Sequence, residues 1–221
     1  MEIKTDGIVL KRYKTGEADD VTVVFTSTNG KILISSKSTQ KITSKLKFCL
    51  ENFSYNAYHL IKKNRNSQFF KLIGAQPLKM FENIRLSLKK LGFAYLVVEL
   101  LNKFLELEDA QVEIFNMTKD ILHIVDSGLY PNIELLESFF KLKLLKLSGF
   151  DLTKDNNYLK HKDTKFKQNL NVILSSSEPM NLDFDFDILR DINIFLNSYI
   201  IQILGEDINS SKFLESIKHE K

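Results

Sequence analysis

The sequence predicts an α+β chain: a small closed five-stranded barrel over residues 1–77, then an all-α helical bundle over residues 78–221. Two observations carry this. Apolar residues recur with a period near two as far as Pro77 and at three- and four-residue steps beyond it. Five β-rich runs also fall within the first 76 residues, none of them followed by a helical run long enough for a crossover between parallel strands. The composition allows a sizeable core. Of 221 residues 43% are hydrophobic and 27% charged, a globular balance that excludes whole-chain disorder. With 8 Gly and 3 Pro the chain is neither collagen-like nor of low complexity.

The strands come in order. Ile3, Gly7, Val9 and Tyr13 alternate with Lys4, Asp6, Arg12 and Lys14, while Ile8 and Leu10 make the middle of this run apolar on both faces. The loop Thr15–Asp20 follows, then Val21–Thr26, rich in β-branched residues. Thr28-Asn29-Gly30-Lys31 predicts a hairpin, with Asn-Gly supplying the positive-φ pair of a type I′ turn. Lys31–Ser36 returns as the third strand. Ser38–Lys47 reads as a lysine-bearing loop. Asn52–Lys62 and Phe69–Gln76 are the fourth and fifth strands. Five short strands closing on themselves make an OB-fold barrel.

Beyond Pro77 the elements are helical. Leu88, Leu91, Ala94, Tyr95, Val98, Leu101 and Leu105 form one apolar face. Val112 to Val125 form a second helix that stops at Gly128. Tyr130-Pro131-Asn132 opens a third, with Pro131 suited to a first helical position, and the apolar series Leu135 to Leu147 ends before Gly149. Residues 151–181 are polar, show no sustained period, and are expected to be irregular. Asp187–Leu204 is a fourth helix stopped by Gly205, and Asn209–Ile217 a short fifth. In the Asp183-Phe184-Asp185-Phe186-Asp187 run, alternating carboxylates could hold a divalent cation. The simpler reading is that Asp185 or Asp187 caps the following helix.

Catalytic chemistry is poorly supplied. His59, His123, His161 and His219 do not stand at metal-ligand spacing, and no phosphate-cradling glycine loop or nucleophile elbow occurs. The one cysteine, Cys49, permits neither an internal disulfide nor a paired-cysteine zinc site and reads as a buried apolar side chain. Neither a catalytic residue, a metal ligand nor a cofactor is therefore expected. The N-terminus lacks a signal-peptide pattern, and the longest uncharged apolar stretch, Leu91–Val98, is far below the ~20 residues that span a bilayer. A cytoplasmic setting without a membrane partner is expected.

Charge is the informative feature. Residues 1–77 carry 13 Lys+Arg against 6 Asp+Glu, whereas residues 78–221 carry 18 against 22. A basic first unit suggests a polyanionic partner. Barrels of this kind bind across strands 2–3 and the loops flanking them. Lys11, Arg12 and Lys14 lead into the first of these loops. Lys37, Lys41, Lys45 and Lys47 line the loop after strand 3, and Lys62, Lys63 and Arg65 mark the loop between strands 4 and 5. Tyr13, Phe25, Phe53, Tyr55 and Tyr58 are interleaved with them, and the first four are the candidates for base stacking. Backbone-tracking charge with aromatic faces is what a single nucleic-acid strand requires.

Asp6-Gly7-Ile8-Val9-Leu10-Lys11-Arg12, then Gly16-Glu17-Ala18-Asp19, Val23-Val24-Phe25-Thr26 and Asn29-Gly30-Lys31 resemble the N-terminal signature of the RecO family of bacterial DNA repair and recombination proteins. The basic loop Lys37–Leu46 and the segment Phe139–Phe150 are also similar to family features. The resemblance covers about residues 1–150 and, more weakly, 187–217. Two departures stand out. Residues 151–181 contain no cysteine, so the four-cysteine zinc module of many relatives is absent. The basic loop keeps lysines only, and lysine lacks the bidentate and stacking geometry of arginine.

The resemblance implies a non-enzymatic recombination mediator of the RecF pathway. It would bind single- and double-stranded DNA, anneal complementary strands, engage the single-strand-binding protein through its C-terminal tail, and act with RecR to load RecA. The cytoplasmic setting would then be nucleoid-associated. The alternative is a protein-interaction module, an OB-fold barrel and bundle whose basic charge is incidental. A third class, a metal-dependent nuclease, would need convergent carboxylates, for which the run at residues 183–187 is the one candidate.

Overall fold

A computed structural model of the chain describes residues 1–14, 19–37, 47–64, 66–130, 132–152 and 159–218. It is an α+β structure whose five strands precede its helices. The strands are β1 (Glu2–Lys14), β2 (Asp19–Thr26), β3 (Gly30–Lys37), β4 (Tyr55–Lys62) and β5 (Phe69–Lys79). They close a barrel in the order β1-β2-β3-β5-β4, with β3 and β5 parallel and the other pairs antiparallel. This is the predicted OB-like arrangement. The helices are α1 (Glu82–Arg85), α2 (Leu88–Phe104), α3 (Val112–Ser127), α4 (Ile133–Leu147), α5 (Thr164–Ser175), α6 (Phe186–Leu204) and α7 (Asn209–Lys218). The chain divides into two compact units, Met1–Asn83 with Val97–Leu122 and Ile84–Leu96 with His123–Lys221.

Alternation sets the barrel interior. Val9, Val24, Ile32, Ile34, Tyr58, Leu60 and Phe70 point inward and form one cluster with Leu50. Ile8, Val23 and Phe25 lie on the opposite faces of the same strands and are also buried. That is why β1 and β2 read as continuous apolar runs rather than a clean alternation. Tyr58 Oη donates to the Cys49 carbonyl at 2.7 Å, which satisfies its hydroxyl inside the core. Cys49 is buried, as its composition suggested.

The β2–β3 hairpin forms, but its turn differs from the type I′ expectation. Gly30 alone of the pair has positive φ, at 65°. Thr26 pairs with Gly30, leaving a three-residue loop, Ser27-Thr28-Asn29. Thr26 Oγ1 decides it, accepting from Asn29 N at 3.1 Å and donating to Gly30 O at 2.8 Å. Gly30 is also required by close approach, because a Cβ there would lie 1.9 Å from the Asp109 carbonyl oxygen. β4 begins three residues later than expected, since Phe53 adopts a positive φ of 67°. β5 runs on past Pro77 to Lys79. The ladder shifts register between Tyr55 and Asn56, and this bulge accommodates the residue that cannot donate.

In the second unit Asn132 caps α4, its side chain accepting from Leu135 N at 2.7 Å. Pro131, expected at the first helical position, lies outside the described residues. Asp185, one of the two candidate caps, accepts from Asp187 N and starts α6. The expectation of an irregular segment at 151–181 is corrected: Thr164–Ser175 is a helix capped by Asp163. Its helical signal is narrow because it buries only Leu170, Ile173 and Leu174. Lys141, fully buried on α4, donates to Glu137 Oε1 and to Asn197 Oδ1 on α6. A buried lysine survives only with such partners. Among the described residues no helix is long and apolar enough to cross a membrane, and no group of three or more His, Cys, Asp or Glu could hold a metal ion.

Candidate nucleic-acid interface

Strand register groups the outward residues of the barrel into rows, because directly paired residues share a face. One row runs Lys11–Val23–Leu33–Phe69 across β1, β2, β3 and β5, and the next runs Tyr13–Val21–Ser35–Lys71 and continues to Ile61 on β4. A third row, nearer the β2–β3 turn, is Ile8–Phe25–Lys31. These rows cross the strands where barrels of this type receive ligands.

The third row is sealed by the chain's own segment Val97–Leu122. Phe25 packs edge-on against Phe115 at 5.4 Å between ring centroids, and Tyr55 lies 6.3 Å from the same ring. Lys31 forms a parallel bridge with Leu107, and its carbonyl accepts from Glu108 N at 2.8 Å. Lys31 Nζ donates to the Asn102 carbonyl at 2.7 Å. Burial pushes this ammonium below its ordinary pKa, with Glu106 pulling the other way. Glu108 holds a left-handed φ of 59°. Its carboxylate takes both bonds from Lys62 Nζ, each 2.6 Å.

Among the described residues the first two rows stay open except at Val23, which is buried. Lys11, Tyr13, Phe69 and Lys71 are exposed, and Val21, Leu33 and Ser35 are half-buried between them. Lys11 Nζ stands 4.7 Å from the centroid of the Tyr13 ring, a cation–π pair that holds both side chains over the surface. Phe69 is 40% exposed, unusual for a phenylalanine in a strand.

The predicted site residues separate on this geometry. Lys11 and Tyr13 join the open face, and Lys47 and Lys63 are exposed. Lys14 and Lys37 close β1 and β3. Lys41, Lys45 and Arg65 lie outside the described residues, as do Gly16, Glu17 and Ala18. Arg12 turns to Asp20, its Nε donating at 3.1 Å to a carboxylate that is almost wholly buried. Lys62 is 7% exposed, paired with Glu108, and its Nζ lies 5.0 Å from the Phe70 ring centroid. These two charges serve the barrel rather than its surface. Base stacking on Phe25 or Phe53 is corrected: both rings are in the core, at 0% and 1% exposure, where no base reaches them. Tyr55 is half-buried and donates its hydroxyl to Asp6. Burial, then this bond, pushes its pKa up to about 12.

Sequence reading missed Phe69 and Lys71. The signal was present in the doublet Phe69-Phe70, since consecutive strand residues face opposite ways and one of the two had to point outward.

Two family models match, Recombination protein O N terminal over residues 1–81 and Recombination protein O C terminal over residues 85–165. The chain belongs to the RecO family. Similar proteins include a DNA repair protein RecO of Alkaliphilus metalliredigens, 31% identical over 125 residues, which are 57% of this chain and 50% of the relative. Another, from Dehalococcoides mccartyi, is 33% identical over 132 residues, 60% of this chain and 51% of the relative. The matched stretch thus spans about half the length of these curated RecO relatives. The N-terminal RecO match contains the whole barrel, and the C-terminal RecO match contains α2, α3 and α4.

Proposed function

We propose that this chain acts in DNA repair by binding DNA through the open face of its barrel, without catalysis. The reading rests on one observation: Lys11 over Tyr13, with Phe69 and Lys71 across the intervening strands, all four exposed on one face among the described residues. Cations that meet phosphates and aromatic faces that stack on bases are the requirements for single-strand binding without sequence preference. Family membership extends the proposal. The chain would anneal complementary strands, accept duplex as well as single strands, and work in the cytoplasm with RecR and the single-strand-binding protein to help load RecA. The barrel with Val97–Leu122 would be the DNA-binding unit, and the helical unit the one that docks proteins. Annealing requires neutralising phosphates on two strands. Exposed Lys47 and Lys63, with Lys14, Lys37, Lys41, Lys45 and Arg65, would extend the charge beyond the open face.

The test is a salt titration of binding to a labelled single-stranded oligonucleotide. With about four phosphate contacts, log K should fall against log salt with a slope near −0.7 × 4, roughly −3. Changing Lys37, Lys41 and Lys45 together to Glu should weaken binding to every sequence alike and flatten the slope. Affinity that ignores salt, or a wild-type protein that binds no DNA at low salt, would overturn the proposal.

A further inference from the structure

The outer face of the barrel carries a second feature beyond the open rows. Two further rows, Lys4–His59–Gly74 and Asp6–Ala57–Gln76, cross β1, β4 and β5. They surround a groove of about 570 Å³ that also reaches Thr28. Gly74 of one row and Ala57 of the other, diagonal to each other across β4 and β5, leave its floor low. Glycine in a strand interior weakens the strand, so it needs a reason. Backbone geometry does not supply one, because Gly74 is not among the positive-φ residues. Crowding does not either: a Cβ at Gly74 would meet nothing within 4 Å. The adjacent bulge between His59 and Leu60 needs no left-handed residue here. Beside that bulge, the missing side chain leaves open space over the floor, through which a ligand can approach the backbone.

The rim indicates the ligand. Lys4 is cationic, and Asp6 is a carboxylate that accepts from Tyr55 Oη and Ser27 Oγ. His59 Nε2 contacts Glu2 Oε1 at 2.5 Å. Positive and negative groups thus balance, which favours neither a phosphate nor a strongly acidic or basic peptide. Gln76 and Thr28 add both donors and acceptors. A flat, neutral group that hydrogen-bonds along its edge fits this lining, and a nucleobase is that group. The groove also continues the outward side of β5, past exposed Ile73 from Lys71.

Building on the DNA-binding reading, we propose that this groove is a base-binding site, taking an unpaired nucleobase of a bound single strand over Gly74 and Ala57. The test compares a labelled single-stranded oligonucleotide, a fully abasic strand of the same length, and duplex. Gly74→Leu puts a side chain into the groove at a position where its Cβ meets nothing within 4 Å, and Gln76→Ala removes an exposed rim group should the first variant fold poorly. The proposal expects Gly74→Leu to lose about tenfold in affinity for the base-bearing strand, and Gln76→Ala a few-fold. Affinity for the abasic strand and for duplex should stay unchanged in both. A folded Gly74→Leu that binds the base-bearing strand as wild type does would overturn it, as would equal losses on both single strands. The two readings separate in a third variant. If Lys11→Glu/Lys71→Glu weakens every strand and the groove variants weaken none, DNA binding stands and the base site falls. If wild type binds no strand, both fall.

Discussion

The two halves of the barrel's outer face are built from the same strands and meet opposite ends. Near the β2–β3 turn, Ile8 and Phe25 are buried, Val97–Leu122 lies over this row through Phe115, and the Lys31 ammonium is spent on the Asn102 carbonyl. Three and five residues past Ile8 on β1, Lys11 and Tyr13 face solvent, as do Phe69 and Lys71 on neighbouring β5. A basic residue on a barrel is therefore not informative by itself. What distinguishes Lys62 from Lys71 is the face of the sheet: Lys62 pairs with inward Phe70 and meets a carboxylate at 2.6 Å, whereas Lys71 pairs with exposed Ile61, and no count of lysines contains that difference.

The strongest way to break the comparison is to unseal the covered half. Phe115→Ala removes the ring that meets Phe25 and Tyr55, and deletion of a buried phenylalanine costs about 3–5 kcal/mol. Denaturant unfolding should register that loss. A cost below about 1 kcal/mol would mean that the segment is laid on the barrel rather than packed into it. Next in size is Glu108→Gln, which leaves the buried Lys62 ammonium without its counter-charge at a cost of about 1–3 kcal/mol. DNA affinity should not change. If affinity rose while stability held, Lys62 would belong to the binding face after all.

On the open half the effects should be reversed, large in binding and small in folding. Lys11→Glu with Lys71→Glu should remove two phosphate contacts and reduce the salt slope by about 1.4 units at −0.7 per contact. Exposed substitutions of this kind change stability by within about 0.5 kcal/mol. Anisotropy and thermal unfolding of the same preparation would check both halves of the statement. Phe69→Ala should give a smaller loss, on the order of 1 kcal/mol of binding, and only on strands that carry bases.

The barrel was legible in the sequence because alternation and turn residues are local signals, and five of them in a row leave few topologies. The open face was half legible. Lys11 and Tyr13 were found from their place at the end of β1, whereas the Phe69-Phe70 doublet shows only that one ring points outward, and setting Phe69 and Lys71 beside Lys11 and Tyr13 needed the parallel β3–β5 register, a pairing between residues 36 apart. The misassignment of Phe25 has the same root. An aromatic on the ligand side of a barrel reads as a stacking residue until a distant helix, here through Phe115, is found lying on it. Lys141 is the counterpart in the helical unit: inside Phe-Phe-Lys-Leu-Lys it reads as a solvated charge, and its burial rests on Glu137 one turn earlier together with Asn197, 56 residues away. Helix α5 escaped for a different reason, since most of its surface is polar and its apolar stripe is three residues wide.

The smallest expected effect concerns Tyr55, which stands at the seam, touching Phe115 of the sealed half while donating to Asp6 at the groove. Its folded pKa of about 12 lies above the ~10 of an unfolded tyrosine, so the folded state holds this proton more tightly. The stability that follows is fully present below about pH 10 and is lost as pH rises from about 10 towards 12. Tyr58, pushed up by burial, and Tyr130, raised by burial and by Glu134, also titrate late, so total phenolate absorbance does not isolate the group. The difference between wild type and Tyr55→Phe does. It should contain one phenolate appearing near pH 12 in the folded protein and near 10 in denaturant. Phe115→Ala, by wetting one side of Tyr55, should move that step downward. A Tyr55 step that stays put in Phe115→Ala would mean that the Asp6 bond, and not the cover over the sealed half, sets the pKa.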